Sequence, residues 1–255
     1  MAYNVITVGS INDMDDDNEG NDVLSNFSCY EEHYYIAEGP PTNKPDLVAP
    51  GENIATAVGT DSGTSFAAPH VTAVVAQLCQ RFPSLRVMQA GVKAMLTASI
   101  SHGEHAYDTC LGDSIKYDQY GAGVVNARAV FETANAYRMV NTTFSANSAA
   151  STKKEYTFTA VAGQRVRVSL TWLKPSSLDE TISHIYYTPS NLDLINLDLC
   201  VYLPNGTVFG EWSTDYYNTE IADFIAPQTG TYKIAAVLEE AILGEVEFGL
   251  AWWLS

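Results

Sequence analysis

Gly63-Thr64-Ser65-Phe66-Ala67-Ala68-Pro69-His70-Val71 is the stretch on which the reading of this chain turns. It opens a run, Phe66 to Leu78, that is apolar on almost every face, the pattern of a helix buried among other elements. A serine in the first turn of such a helix has its backbone N–H exposed at the positive end of the macrodipole, with its hydroxyl alongside. A developing oxyanion would be stabilised there while the hydroxyl attacks. Gly63 lets the chain and a bound peptide approach closely, and Pro69 is read in the first turn, where its missing N–H costs nothing. On local chemistry alone, a serine before an apolar helix is also an ordinary cap. The run by itself does not choose between the two.

Working outward, a second helix is predicted from Ser84, with Val87, Ala90, Gly91, Ala94, Met95 and Ala98 at turns of three to four. A third follows Gly121-Ala122-Gly123, capped by Asn126 and running towards Tyr137. Upstream, Val5–Val8 and Asp46–Ala49 are short apolar segments separated by an acidic loop and a Gly-Pro-Pro turn. Strands alternating with buried helices suggest an α/β layer. After about residue 145 the period becomes 2. Val166, Val168, Leu170 and Trp172 alternate with Arg165, Arg167, Ser169 and Thr171, and three further alternating runs follow around Leu199, Ile234 and Leu250. Short strands at this spacing indicate a β-sandwich, with Asn141–Thr152 as the linker.

The letters GTSFAAPHV closely resemble the catalytic-serine motif of the subtilisin-like serine proteases (subtilases), with Ser65 at the nucleophile position. Asn4-Val5-Ile6-Thr7-Val8-Gly9-Ser10 is similar to that family's internal strand, Ser25-Asn26-Phe27-Ser28 to its short turn, and Lys44-Pro45-Asp46-Leu47-Val48-Ala49-Pro50-Gly51 to its P-D-[LIV]-x-A-P-G segment. Gly121-Ala122-Gly123-Val124-Val125-Asn126-Ala127 resembles its closing G-x-G-x-[LV]-[ND]-A. Asn196–Gly206 and Ala226–Tyr232 resemble hairpins of the β-sandwich (jelly-roll) domains often appended to such enzymes. The resemblance implies an α/β fold: the serine-bearing C-terminal half of a subtilisin-like parallel-sheet domain over residues 1–140, followed by an all-β sandwich (jelly-roll) domain over 141–255.

In this family the triad runs Asp, His, Ser along the chain. Its aspartate and histidine motifs, and the asparagine of its oxyanion hole, lie ahead of the strand that Asn4–Gly9 matches, and no counterpart precedes it here. His70 falls where the family has a structural histidine, while His33, His102, His105 and His184 sit in polar loop contexts. The resemblance therefore implies part of a serine endopeptidase that hydrolyses peptide bonds through an acyl-enzyme on Ser65. Alone it is expected to be inactive, because a serine needs a base to become a nucleophile. The partners implied are a protein or peptide substrate and the N-terminal half of the same protease. The fragment's sheet is expected to have an open edge and an exposed apolar face. A non-enzymatic binding or structural module derived from a truncated protease is the alternative.

Thirty acidic against thirteen basic residues, a net charge of −17, argue against a nucleic-acid or anionic-membrane surface, since both need clustered Lys and Arg. No apolar run is long enough to span a bilayer, and no signal peptide is visible; a secreted or cell-surface setting comes only with the protease reading. Cys29, Cys79, Cys110 and Cys200 follow no zinc spacing; Cys79 reads as a buried thiol, and a Cys29–Cys110 bridge stays open. No cofactor is expected, with structural calcium the one group left open. Asp13, Asp15, Asp16 and Asp17 offer clustered oxygens but miss the EF-hand pattern at Asn18 and Leu24, and Asp193 and Asp198 are a second candidate set. Trp172 and Trp252 read as core rather than as sugar-stacking surfaces.

Overall fold

The computed structural model describes residues 4–16, 21–30, 44–101, 119–145, 147–173, 195–213, 218–240, 242 and 244–255. In the first part, β1 (Val8–Asn12), β3 (Leu47–Pro50) and β7 (Val124–Val125) run parallel, flanked by the antiparallel strands β2 (Val23–Leu24) and β6 (Ile100–Ser101) in the order β2-β1-β3-β7-β6. Leu47, Val48 and Ala49 are all buried, because the sheet is covered on both faces, as parallel sheets require. β1 begins three residues later than the apolar run predicts, and Val5 is exposed. The edge expected to be open is partly closed: Leu24 and Val23 pair with Ile11 and Asn12, and the Ser25 N–H donates to the Ser10 carbonyl.

Between β3 and the next helix, β4 (Ile54–Thr56) and β5 (Gly59–Asp61) form a hairpin whose tip residue, Val58, is 98% exposed. Helix α1 (Thr64–Arg81) follows, with only Ala67, Val71 and Leu78 buried. The second helix does not start at Ser84. Pro83–Val87 is a 3-10 turn that sends Leu85 into the core and leaves Val87 outside, and α2 (Gln89–Ala98) begins after the break at Met88. α3 (Ala127–Asn135) is capped as expected, the Asn126 side chain accepting from the Ala129 N–H at 2.9 Å.

The second part is built of antiparallel strands: β8 (Met139–Phe144), β9 (Thr152–Ala160), β10 (Arg165–Trp172), β11 (Leu197–Tyr202), β12 (Val208–Trp212), β13 (Thr219–Ile225), β14 (Gly230–Leu238) and β15 (Val246–Leu254). Among the described residues they form two sheets, β13-β10-β15-β8 and β12-β11-β14-β9. One apolar cluster draws on both, joining Phe144, Val168, Trp172 and Leu250 to Phe158, Leu199, Tyr232 and Ile234. Residues 141–144 of the expected linker are strand, because β8 completes the first sheet along β15.

The alternation read along β10 holds for Val166, Val168, Leu170 and Trp172, but of the polar set Arg167, Ser169 and Thr171 are buried as well, and only Arg165 is half-exposed. α2 lies across that outer face. The hydroxyls of Thr97 and Ser169 bond at 2.7 Å, and the Thr171 hydroxyl donates to the Ala90 carbonyl at 2.8 Å. Arg167 donates through Nε to the Thr97 carbonyl at 3.2 Å, through Nη2 to the Ala122 carbonyl, and through Nη1 to Asp223 at 2.7 Å. Backbones approach closely here: a Cβ at Gly249 would run into the Ala90 carbonyl, and one at Gly91 would meet the Met139 sulfur at 2.6 Å. The two parts thus share a packed boundary built on small residues of α2.

Candidate functional site around Ser65

Ser65 is presented by a chain path that passes twice through one tight spot. The Gly51 N–H donates to the Ile11 carbonyl at 3.0 Å, and the Gly63 N–H donates to the Gly51 carbonyl at 2.7 Å. A Cβ at Gly51 would lie 2.6 Å from the Ser10 hydroxyl and 2.8 Å from the Gly63 carbonyl, so only glycine lets α1 start this close to the end of β3. Gly63 itself is extended, with φ 162° and ψ 155°, and the nearest atom to a Cβ there is 3.7 Å away. Its glycine leaves open space ahead of the helix rather than serving a special conformation.

Ser65 is the second residue of α1 and is exposed. Among the described residues no backbone carbonyl takes its N–H and no partner takes its hydroxyl. The N-terminal N–H groups of a helix have no partner within it and carry the positive end of the dipole. Pro69 is not in the first turn: it is the sixth residue of α1, and the donor it lacks is the one that would reach the Ser65 carbonyl. The proline thus loosens the helix hydrogen bonding at the residue in question.

No general base stands beside this hydroxyl among the described residues. His70 is exposed, and its Nδ1 lies 2.9 Å from the Phe66 carbonyl. Five residues along a helix is a rotation of about 140° from Ser65 and a rise of about 7.5 Å, out of hydrogen-bond reach. His33, His102, His105 and His184 lie outside the described residues, as do Asp17, Cys110 and Asp193. A D-S-G triplet does occur, at Asp61-Ser62-Gly63, but Asp61 is exposed and its carboxylate accepts the Ser62 N–H at 2.8 Å. It forms part of the approach to α1 rather than a second catalytic segment.

At the end of β3 away from Gly51, Asp46 collects bonds whose role the sequence motif gives no hint of. Its carboxylate accepts from the Thr7 N–H at 2.7 Å and the Thr7 hydroxyl at 2.9 Å, and pairs with Lys44 and Lys93, each at 2.7 Å. Burial alone would raise this carboxyl, but the two ammonium groups outweigh it and hold it below the ordinary range. Lys93 sits inside the apolar face of α2, a lone charge in the pattern that signals a buried partner.

The other candidates divide. Cys79 is half-buried rather than buried, and Cys29 is exposed and free. Trp172 and Trp252 are buried in the core. Asp13, Asp15 and Asp16 belong to no converging group of three metal-ligating side chains among the described residues. Asp198 does: it meets Glu211 and Glu239. Burial pushes its carboxyl up to about 6, the Ser213 hydroxyl opposing the rise and the two glutamates adding to it. Burial and Glu211 push the neighbouring Cys200 thiol up to about 12.

Residues 1–155 match the model of the subtilase family. The chain is 34% identical over 133 aligned residues to subtilisin-like protease SBT2.1 of Arabidopsis thaliana, an alignment covering 39% of this chain and 16% of that protein. Among solved structures, a complex of the Aeromonas sobria serine protease with its chaperone aligns over 96% of this chain and 57% of its own, at 11% identity and a TM-score of 0.36. The pre-peptidase C-terminal domain of a Bacillus anthracis collagenase aligns over 45% of this chain and 86% of its own, at 11% identity and a TM-score of 0.31. Likenesses at these scores carry no argument. The sequence match does: over a region that holds the parallel sheet, Ser65 and α1, this chain is a member of the subtilase family.

Proposed function

We propose that this chain is the serine-bearing part of a subtilisin-like serine endopeptidase, in which Ser65 attacks the scissile carbonyl and carries the acyl-enzyme. The observation that carries the reading is an exposed serine whose N–H and hydroxyl are both uncommitted, held at a helix start by the Gly51–Gly63 contact. As the tetrahedral intermediate forms, the Ser65 N–H donates to its oxyanion, supported by the helix dipole. The open space at Gly63 admits the peptide backbone. The proton from the Ser65 hydroxyl needs a base, and the described residues offer none within reach.

A His, its orienting Asp and the second oxyanion donor are therefore assigned to a preceding stretch of polypeptide, and the chain alone is inactive. The second part reads as an appended jelly roll. In its own strand order its sheets run 1-8-3-6 and 2-7-4-5, the pairing of two Greek keys. A secreted or cell-surface setting belongs to the same reading; no described helix is long and apolar enough to cross a membrane.

The test is intact-mass analysis after exposure to a fluorophosphonate, with Ser65→Ala as control. The expected result is no adduct on this chain and a single adduct on Ser65 in a longer chain that begins upstream of the aspartate and histidine motifs. No adduct in either would support the non-enzymatic module, and an adduct on this chain alone would reveal a base that the proposal denies.

A further inference from the structure

At the seam between the two parts lies a cavity of about 210 Å³. It opens beyond the far end of α1 from Ser65, about 25 Å away along the helix axis. Leu85 and Met95 form a buried floor, and Phe82, Met88 and Met139 stand half-buried around it. The chain path explains the hollow. The 3-10 turn Pro83–Val87 sends Leu85 inward, Met88 and Met95 lie two helical turns apart on one face of α2, and Met139 comes from β8 of the second part. Three thioethers and a phenyl ring make a soft, polarisable lining, and methionine sulfur packs favourably against aromatic ring edges. An apolar cavity of about 150 Å³ takes benzene, so this one has room for a single ring with a short substituent.

Two further features point to a ligand. Tyr137, also lining the cavity, ends α3 with φ 53°, a left-handed backbone that suits glycine and disfavours a residue with a Cβ. Its ring is 86% exposed and gains no packing in return. The other feature is charge. In a chain of net charge −17, the residues that flank Phe82 and Leu85 are Arg81 and Arg86, both exposed, and the Arg81 guanidinium lies 5.2 Å from the centre of the Phe82 ring. Among the described residues neither arginine pairs with a carboxylate. The nearby acids are engaged: Glu132 pairs with Arg128 at 2.9 Å, and Glu247 accepts from the Asn141 amide at 2.9 Å.

We propose that this cavity binds a small aromatic carboxylate, its ring among Met88, Met95 and Met139, its acid group at the mouth with Arg81 and Arg86, and the Tyr137 ring folded over it. The bound acid joins α2 and α3 to β8 and stabilises the boundary between the two parts by mass action. The site is independent of the protease reading and stands whether or not Ser65 is a nucleophile.

The experiment uses the full 255-residue chain carrying ¹³C-methyl methionine, titrated with 3-phenylpropionate and followed by NMR. The Met88, Met95 and Met139 methyl signals are expected to shift together in the ring current, with a dissociation constant below about 1 mM. The signal of Met14, 45% exposed beyond β1, is expected to stay in place. The saturated analogue, 3-cyclohexylpropionate, is expected to bind about threefold or more weakly. The uncharged 3-phenylpropionamide is expected to bind about twofold to fivefold more weakly at low salt. Ala134→Leu fills the cavity and is expected to abolish the shifts without lowering the melting temperature. Tyr137→Gly is expected to melt at or above the wild-type temperature while binding about threefold more weakly, a split that a purely structural tyrosine would not give. No shift of the three methionines at about tenfold that concentration, or an equal shift of Met14, would overturn the proposal. So would undiminished binding by Ala134→Leu, which would place the acid elsewhere. Equal binding of the saturated analogue would overturn the aromatic class, and equal binding of the amide would overturn the role of the arginines.

Discussion

Arg167 keeps its guanidinium wholly inside the molecule. Fully buried on β10, it pairs with Asp223 and holds the carbonyls of Thr97 and Ala122, so one side chain ties the second part to the first. Removing one partner of a buried pair leaves the other charge uncompensated. Arg167→Ala is expected to lower stability by about 3–5 kcal/mol in urea unfolding. Arg167→Lys is expected to recover little, since an ammonium cannot span the fork of acceptors. Ser65 is the opposite case: exposed and without bonds among the described residues. Ser65→Ala is expected to leave stability within about 0.5 kcal/mol of wild type, while abolishing fluorophosphonate labelling in the longer chain. That Ser65 lies in the first turn of a helix could be read from its neighbours in sequence. The role of Arg167 could not, because in a period-2 pattern it stands where a solvent-facing residue belongs.

At the scale of elements, α2 decides how the two parts sit together. Its Ala-Gly-Val-Lys-Ala start reads as an amphipathic helix, yet Ala90 to Ala98 are all buried, packed against the first core on one side and β10, β15 and β8 on the other. Small residues make that double contact sterically feasible. Gly249→Ala is expected to cost at least about 1–3 kcal/mol, because its Cβ meets backbone that cannot swing aside. Gly244→Ala, where a Cβ meets nothing within 4 Å, is the control and is expected to be near neutral by the same unfolding measurement. The cap of α3 at Asn126 was legible in the sequence, while the 3-10 turn at Pro83–Val87 and the β4–β5 hairpin were not. The partners of the helices and strands were not legible either, since periodicity reports which face is apolar and is silent about what covers a polar one.

For the whole molecule, two buried carboxylates set the acid limit. Burial would raise Asp46 and Asp223, but Lys93 and Lys44 outweigh it at the first and Arg167 and Arg165 at the second, so both titrate below the ordinary aspartate range. A depressed carboxyl contributes stability that is present above its unfolded value and lost as pH falls through the folded one. Asp46→Asn is therefore expected to be less stable than wild type at pH 7, with the difference shrinking below pH 3.8 in urea midpoints taken across pH. The sequence by itself determined the family and the α-then-β division, because motif spacing and hydrophobic period are local properties of the chain. Only the tertiary structure decided that α2 buries a polar strand face, that Pro69 frees the Ser65 carbonyl, and that Asp198 meets Glu211 and Glu239. Each of these depends on strand register and on contacts between residues tens of positions apart, which no local pattern encodes.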